Sequence, residues 1–583
     1  MISAAIARRQ DEPTTDAPAA ELRALMRPTD ELMRPERLAA LQPSRISASR
    51  SLIAKAARQR WRIERESFAI DERGRGRALY AIEADGWRFS FPILSFEPST
   101  RERTGRIIGR AWDMMGALVE GEMTQGAIEA LDHELPKLYA GRAMPQTLTW
   151  ARSNRSSRLF DLAVESLAAG RQPPIAELGR TCYLMRNTGI DGNGTFGTKS
   201  FLAFERDHPL RPSLRAQMLT AYMMRVFAGD LVRHLADERG GRKATRMEAD
   251  LARFLGVGNG SALGLMFFVN NHPRLIDRWL RIREEAIARA KLLAVEPHAV
   301  PLETLAALIG KAILARRQDR SEYETFVPSR IIADDLAVIA HELGSLIERV
   351  RAGQAGETPL AGFTASLAPR LHPEAYETLQ SLLIELVPNI ADTLVETLVI
   401  DEEMTGRPEM TLQRLRDVLR AEYAWAFGLD LVSERSRRYV WYKSRTAEEP
   451  RRGPREEVGE AHNLGLDLPR LIIGLNRDLA ASDARMSVAR FLFTHPQHRL
   501  IVTRVQALAG LRYHSPQADI MSEDFVPAQI TRLINVGIHG IDKTRDFLNR
   551  NLRGVIFHGA PTPDDLGSGS ADPHWFYPPE PHA

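Results

Sequence analysis

Arg186-Asn-Thr-Gly-Ile-Asp-Gly-Asn-Gly-Thr-Phe-Gly-Thr-Lys199 is the stretch on which the architecture turns. Its core, Gly192–Gly197, satisfies Gly-x-Gly-x-x-Gly. A dinucleotide site needs a hydrophobic strand running straight into the first glycine and a long helix after the last. Here the polar run Arg186–Asp191 occupies the place of that strand, and His208-Pro209 and Pro212 soon interrupt the segment beyond the glycines. Lys199 stands one residue too far from Gly197 for a phosphate-binding P-loop, and no apolar strand ending in Asp offers a magnesium ligand. The stretch therefore reads as a polar loop between helices. On that reading the fold is mainly α: a large multi-helix array with a small antiparallel β meander near the N-terminus.

The periodicity outside the loop supports helices. Apolar residues recur at helical spacing in Ile107–Gly121, Arg158–Ala169, Arg215–Ala236, Leu275–Val295, Leu302–Arg316, Ile331–Ala352, Pro373–Leu398, Thr411–Ala426, Pro469–Asp478 and Ala528–Asn551. The meander is expected from Trp61–Ile70, Ala78–Ala84 and Trp87–Phe96, with Asp85-Gly86 as a hairpin turn. The expected organisation is a mobile arm with short helices over 1–56 and the meander over 57–100. A helical core follows over 101–445, then a charged linker or lid over 446–459, a His-rich helical region over 460–560 and an extended tail over 561–583.

The phrase Gly-Asn-Gly followed by a hydroxyl residue occurs a second time, at Gly258-Asn259-Gly260-Ser261. Glycine frees the backbone to present successive N–H groups to an anion. The first copy adds Arg186, Asn187, Asp191, Asn193, Thr195 and Lys199. The second leads through an apolar run to Asn270-Asn271-His272-Pro273-Arg274. The two loops are read as walls of one pocket for a small anionic metabolite, most simply a carboxylate. Asn259 and Ser261, with Asn270, Asn271 and Arg274, join the binding set, and Asp191 or His272 serves proton transfer. Arg437–Arg445 interleaves three aromatics with cations. Tyr439 and Tyr442 are further proton donors there, and Lys443 and Arg445 are anion contacts on a closing segment. The Tyr439…Lys443 spacing matches that of short-chain dehydrogenases, but no nucleotide fold supports it.

A lyase or isomerase working by acid–base chemistry needs least beyond these residues. No cofactor is favoured. The alternative enzyme is a metal- or haem-dependent oxidoreductase using His495, His498 and His514, since seven of the 15 histidines follow position 490. The alternative outside catalysis is a helical scaffold or an RNA- or protein-binding protein.

Composition narrows the partners. The net charge is +3, from 78 basic and 75 acidic residues, so no global field argues for nucleic acid. Only eight of the basic residues are lysines, which draws attention to Lys199 and Lys443. The single cysteine, Cys182, excludes an intramolecular disulfide and a cysteine-rich zinc site. The apolar stretch Ala262–Val269 is far short of the roughly 20 residues of a membrane span. With no secretory signal at the start, the expected location is the cytoplasm, with no membrane partner and a homo-oligomer left open.

Overall fold

A computed structural model describes residues 19–32, 37, 40–96, 113–130, 147–156, 159–179, 181–191, 204–259, 273–295, 300–319, 327–399, 406–428, 430, 441–444, 450–452, 462–464, 467–508, 537–539 and 553–581. It holds the large helical array expected, together with an extended sheet that was not. Strands β1 (Arg62–Ile70), β2 (Gly76–Ala84) and β3 (Trp87–Ser95) are the expected meander. They continue into β4 (Met114–Glu120), β5 (Thr147–Arg155), β6 (Tyr183–Asp191) and β7 (Gly256–Asn259). A separate three-stranded sheet holds β8 (Trp441–Ser444), β9 (Pro450–Arg452) and β10 (His462–Leu464). Then β11 (Gly537–His539) and β12 (Arg553–Ile556) return to the first sheet. The large sheet has nine strands in the order β1-β2-β3-β4-β5-β6-β7-β12-β11. Every neighbouring pair in it is antiparallel except β6 and β7, which are parallel.

This corrects the mainly-α expectation. The meander is real: Asp85 and Gly86 both have positive φ, 53° and 82°, the backbone of a tight hairpin turn, and Ala84 faces Trp87 across it. What the periodicity hid is the rest of the sheet. Met114–Glu120 lies inside the segment expected as the helix Ile107–Gly121. It carries Met, Ala and Leu, which are good helix formers, yet it is buried almost throughout as a central strand. The strand β11 likewise lies inside the expected helix Ala528–Asn551. The polar run expected as a loop, Arg186–Asp191, is the second half of β6. Central strands accept polar residues because neighbours on both sides satisfy their backbone, and here Thr149 and Ser153 on β5 are fully buried as well.

A parallel pair of strands cannot be joined by a tight turn. The crossover between β6 and β7 is built on one long helix. Helices α1 (Ala48–Gln59), α2 (Leu159–Ala168) and α3 (Arg215–Gly240) share the large core with the inner face of the sheet. The α3 helix lies directly on the strands. The Tyr80 hydroxyl donates to Asp230 at 2.8 Å. Gly116 of β4 lies so close beneath the helix that a Cβ there would stand 2.6 Å from the Phe91 ring and 3.3 Å from Met224 Sδ. Only a residue without a side chain fits.

The buried Arg225 of α3 is a clamp. Its guanidinium donates to the carbonyls of Leu255 (2.7 Å), Ala560 (2.8 Å), Pro561 and Ala252 (both 3.0 Å) and Arg253 (3.2 Å). One side chain thus joins the helix to the chain entering β7 and to the chain leaving β12.

The remaining helices form a second layer of the same core. They are α4 (Pro273–Lys291), α5 (Val300–Gln318), α6 (Ser329–Arg351), α7 (Pro373–Leu383) and α8 (Pro388–Glu396). A distinct core joins α9 (Leu412–Glu422) to α10 (Asp467–Ala480), α11 (Val488–Thr494) and α12 (Arg499–Leu508). It draws on both sides of the charged stretch 446–459.

From Ala19 onward, the segment expected as a mobile arm is part of the body. Leu32, Leu41, Ile46 and Leu52 are at most 1% exposed. Arg27 forks onto Glu284 of α4 through Nε and Nη2, both at 2.8 Å, and onto Glu377 of α7 through Nη1 at 2.5 Å. Arg283 completes the network, giving Nη1 to Glu284 at 3.0 Å and Nη2 to Glu377 at 2.8 Å. The expected tail is packed too. Trp575 and Phe576 are buried, and the Arg50 guanidinium sits 3.4 Å from the centre of the Phe576 ring while pairing with Glu385. Among the described residues no helix is long and apolar enough to cross a membrane.

Burial alone pushes the Glu377 carboxyl up, but the Arg27 and Arg283 guanidiniums outweigh it and hold it at about 2, below the ordinary 4.5. The folded state therefore gains from Glu377 above about pH 4.5, and the gain is lost as pH falls toward about 2. Removing one partner of such a buried network leaves a charge stranded, at a cost of about 3–5 kcal/mol. Urea unfolding of Arg27→Ala is expected to show that loss at neutral pH, with acid destabilisation beginning at higher pH than in the parent. Equal stability of the two proteins at neutral pH would contradict the network.

Candidate functional site at the ends of two parallel strands

The strands that lead into the two Gly-Asn-Gly phrases are neighbours in the sheet. In the parallel ladder Arg186 faces Gly258 and Asn187 faces Asn259. Both strands run in the same direction, so both chains leave the sheet at the same edge. β6 ends at Asp191, immediately before Gly192-Asn193-Gly194, and β7 ends at Asn259, the middle residue of the second phrase. On its other side β6 places Arg186 opposite Asn154, Asn187 opposite Ser153 and Asp191 opposite Trp150 of β5. Arg186 is half-buried there.

Glycine is required where β7 slides between its neighbours. A Cβ on Gly258 would stand 2.8 Å from three atoms of the Tyr183 ring on β6. A Cβ on Gly256 would stand 2.4 Å from the Ile556 carbonyl oxygen on β12. The sequence signal that looked like loop flexibility is here close packing of strands.

The helices beyond the two phrases begin near one another. At the start of α3, Ser213 donates its backbone N–H (2.8 Å) and its hydroxyl (3.0 Å) to the Leu398 carbonyl. Arg278, in the second turn of α4, donates to the carbonyl of the next residue, Val399. Both N-terminal ends are thus moored to Leu398–Val399, just beyond α8. A helix N-terminus carries partial positive charge and unsatisfied N–H groups, and two such ends lie near one mooring point. Ser213 and Arg278 carry no sequence signal of their own. Their role depends on contacts across about 120 to 185 positions, which local pattern does not carry.

The other expected site residues fall elsewhere or outside the described residues. Arg274 is in the first turn of α4, where its Nε donates to the Ala507 carbonyl at 2.9 Å and ties α4 to the end of α12. Tyr442 and Lys443 belong to β8 of the small sheet, with Tyr442 opposite Arg451 and Leu464 and Lys443 opposite Pro450 and Asn463. They are not in the sheet whose strands lead into the two phrases. His495 stacks on Phe491 with ring centres 4.4 Å apart, and the buried His498 holds Asp478 of α10 through Nε2 at 2.8 Å. Both serve the second helical core. Among the described residues no group of three or more His, Cys, Asp or Glu is placed to hold a metal. Asn193, Thr195, Lys199, Ser261, Asn270, Asn271, His272, Tyr439, Arg445 and His514 lie outside the described residues.

The arrangement is chemically simple. Two parallel strand ends deliver amide side-chain types and glycines to one edge, an arginine lies one register step back, and a carboxylate residue closes β6. Compared with known proteins, the chain matches no family, no curated protein and no solved structure.

Gly258→Val is expected to cost about 1–3 kcal/mol through overpacking against Tyr183, read as a lower urea midpoint at unchanged slope. Unaltered stability would show that β6 and β7 do not approach as described.

Proposed function

We propose that this chain is an enzyme that takes a small anionic metabolite, a carboxylate foremost, at the carboxyl ends of β6 and β7 and works on it by proton transfer, as a lyase or an isomerase does. The observation that carries the proposal is the register of Asn187 against Asn259 in a parallel pair. Ligands of sheets with parallel strands collect outside the carboxyl ends, where successive chains diverge and helices begin. In this chain the only parallel pair among the described strands is also the one that leads into both Gly-Asn-Gly phrases. The moored starts of α3 and α4 add the polarity an anion prefers.

The roles come from chain order. Arg186, Asn187 and Asn259 are in the strands themselves. Asn193, Thr195 and Lys199 come within eight residues of Asp191, and Ser261 within two residues of Asn259. Asn270, Asn271 and His272 directly precede α4. Lys199 and Arg186 supply positive charge, the asparagines orient neighbouring groups, and Asp191 or His272 carries the proton. Arg274, engaged by Ala507, holds α4 in place in this scheme and is not the anion clamp.

A thermal-shift screen with small carboxylates, phosphates and nucleotides tests this, because a ligand of the folded state raises its melting temperature. The expected result is a carboxylate that raises the melting temperature of the parent and loses its effect in Asn259→Ala and in Lys199→Ala. Undiminished shifts in both variants would overturn the assignment.

A further inference from the structure

A cavity of about 500 Å³ lies between the N-terminal segment and the corner that leads into α7. Arg27, Glu31 and Arg37 line it from one side, and Leu371, Pro373 and Tyr376 from the other. That volume is ordinary for a small-molecule pocket. One lining residue, Arg27, belongs to the buried ionic network, where Glu284 and Glu377, both fully buried, pair with Arg27 and Arg283. Deeper in, burial brings the Lys291 ammonium down to about 8, opposed by Glu284 and reinforced by Arg27. At the rim, Arg37 and Glu31 approach only to 3.9 Å, a loose pair.

The donors are available in the cavity. Arg27 spends four N–H groups on the two glutamates, and one hydrogen on Nη1 remains. Among the described residues, Arg37 has no closer partner than its loose contact with Glu31. Leu371 and Pro373 offer an apolar wall, and Tyr376 an aromatic one.

We propose that this cavity binds a small organic monocarboxylate with an apolar body, the carboxylate between Arg37 and Arg27 and the body against Leu371, Pro373 and Tyr376. One negative charge matches the excess of two lining arginines over one lining glutamate, whereas a phosphate dianion would overshoot it. Because its walls come from the N-terminal segment and from the start of α7, an occupant bridges the two. Its lining shares no residue with the strand-end site.

Hexanoate and benzoate titrated calorimetrically into the full-length chain test it, with inorganic phosphate as the comparison anion. Arg27→Ala is unsuitable, because it strands two buried carboxylates. Arg37→Ala removes a rim cation, and Leu371→Trp fills the cavity without touching a charge; circular dichroism establishes that both fold. The expected result is saturable binding of at least one carboxylate to the parent. Arg37→Ala is expected to weaken it about tenfold, or about 1.4 kcal/mol. Leu371→Trp abolishes it, Asn259→Ala leaves it unchanged, and phosphate binds more weakly. Absence of binding of either carboxylate to the parent would overturn the proposal. So would equal affinity in folded Arg37→Ala and Leu371→Trp, or loss in Asn259→Ala, which would move the binding to the strand ends.

Discussion

A parallel pair of strands needs a crossover, and β6 and β7 are such a pair in an otherwise antiparallel sheet. The 26-residue α3 is the body of that crossover, and it fills the inner face of the sheet over Gly116 and against Tyr80 and Phe68. Arg225 then fixes the far end of the crossover by holding five carbonyls, three just before β7 and two just beyond β12. Without the helix there is no parallel pair. Without the parallel pair the strands that lead into the two Gly-Asn-Gly phrases have no reason to lie side by side.

A second theme is charge placed inside. An arginine is costly to bury unless its charge is answered. Arg225 is answered by carbonyls, Arg27 and Arg283 by Glu284 and Glu377, and Arg45 and Arg50 by Glu385 and Asp392. These clusters explain why the N-terminal segment and the C-terminal segment are part of the body. Each is anchored by ionic or cation–ring contacts to residues hundreds of positions away. A single clamp of this kind costs several kcal/mol to break, which is a large share of a typical folding free energy.

The sequence is legible where periodicity is local. The meander, with its Asp85-Gly86 turn, and the long helices Arg215–Gly240 and Ser329–Arg351 are direct products of spacing and turn chemistry. It is illegible where burial on two sides removes alternation. Met114–Glu120 reads as helix because its residues are good helix formers, and Arg186–Asp191 reads as loop because its residues are polar. A strand does run directly into Gly192, against the expectation drawn from that polar run. The surrounding sheet is still antiparallel apart from one pair, so the strand adds a crossover and not a doubly wound nucleotide fold. The ionic anchoring of Arg27 and the mooring of two helix starts at Leu398–Val399 have no sequence signal, because both are products of tertiary packing.

Asn187 and Asn259 are direct neighbours on parallel strands, with Cα atoms about 4.8 Å apart, as strand spacing requires. The most direct check combines Asn187→Cys and Asn259→Cys in a Cys182→Ala background and treats the protein with dibromobimane, which bridges adjacent thiols. The register predicts an intramolecular cross-link in the folded protein that disappears in urea. It also predicts none when Asn187→Cys is instead combined with Ile63→Cys on the far edge strand. Failure of the Asn187→Cys/Asn259→Cys variant to cross-link, while each single variant is readily labelled, would contradict it.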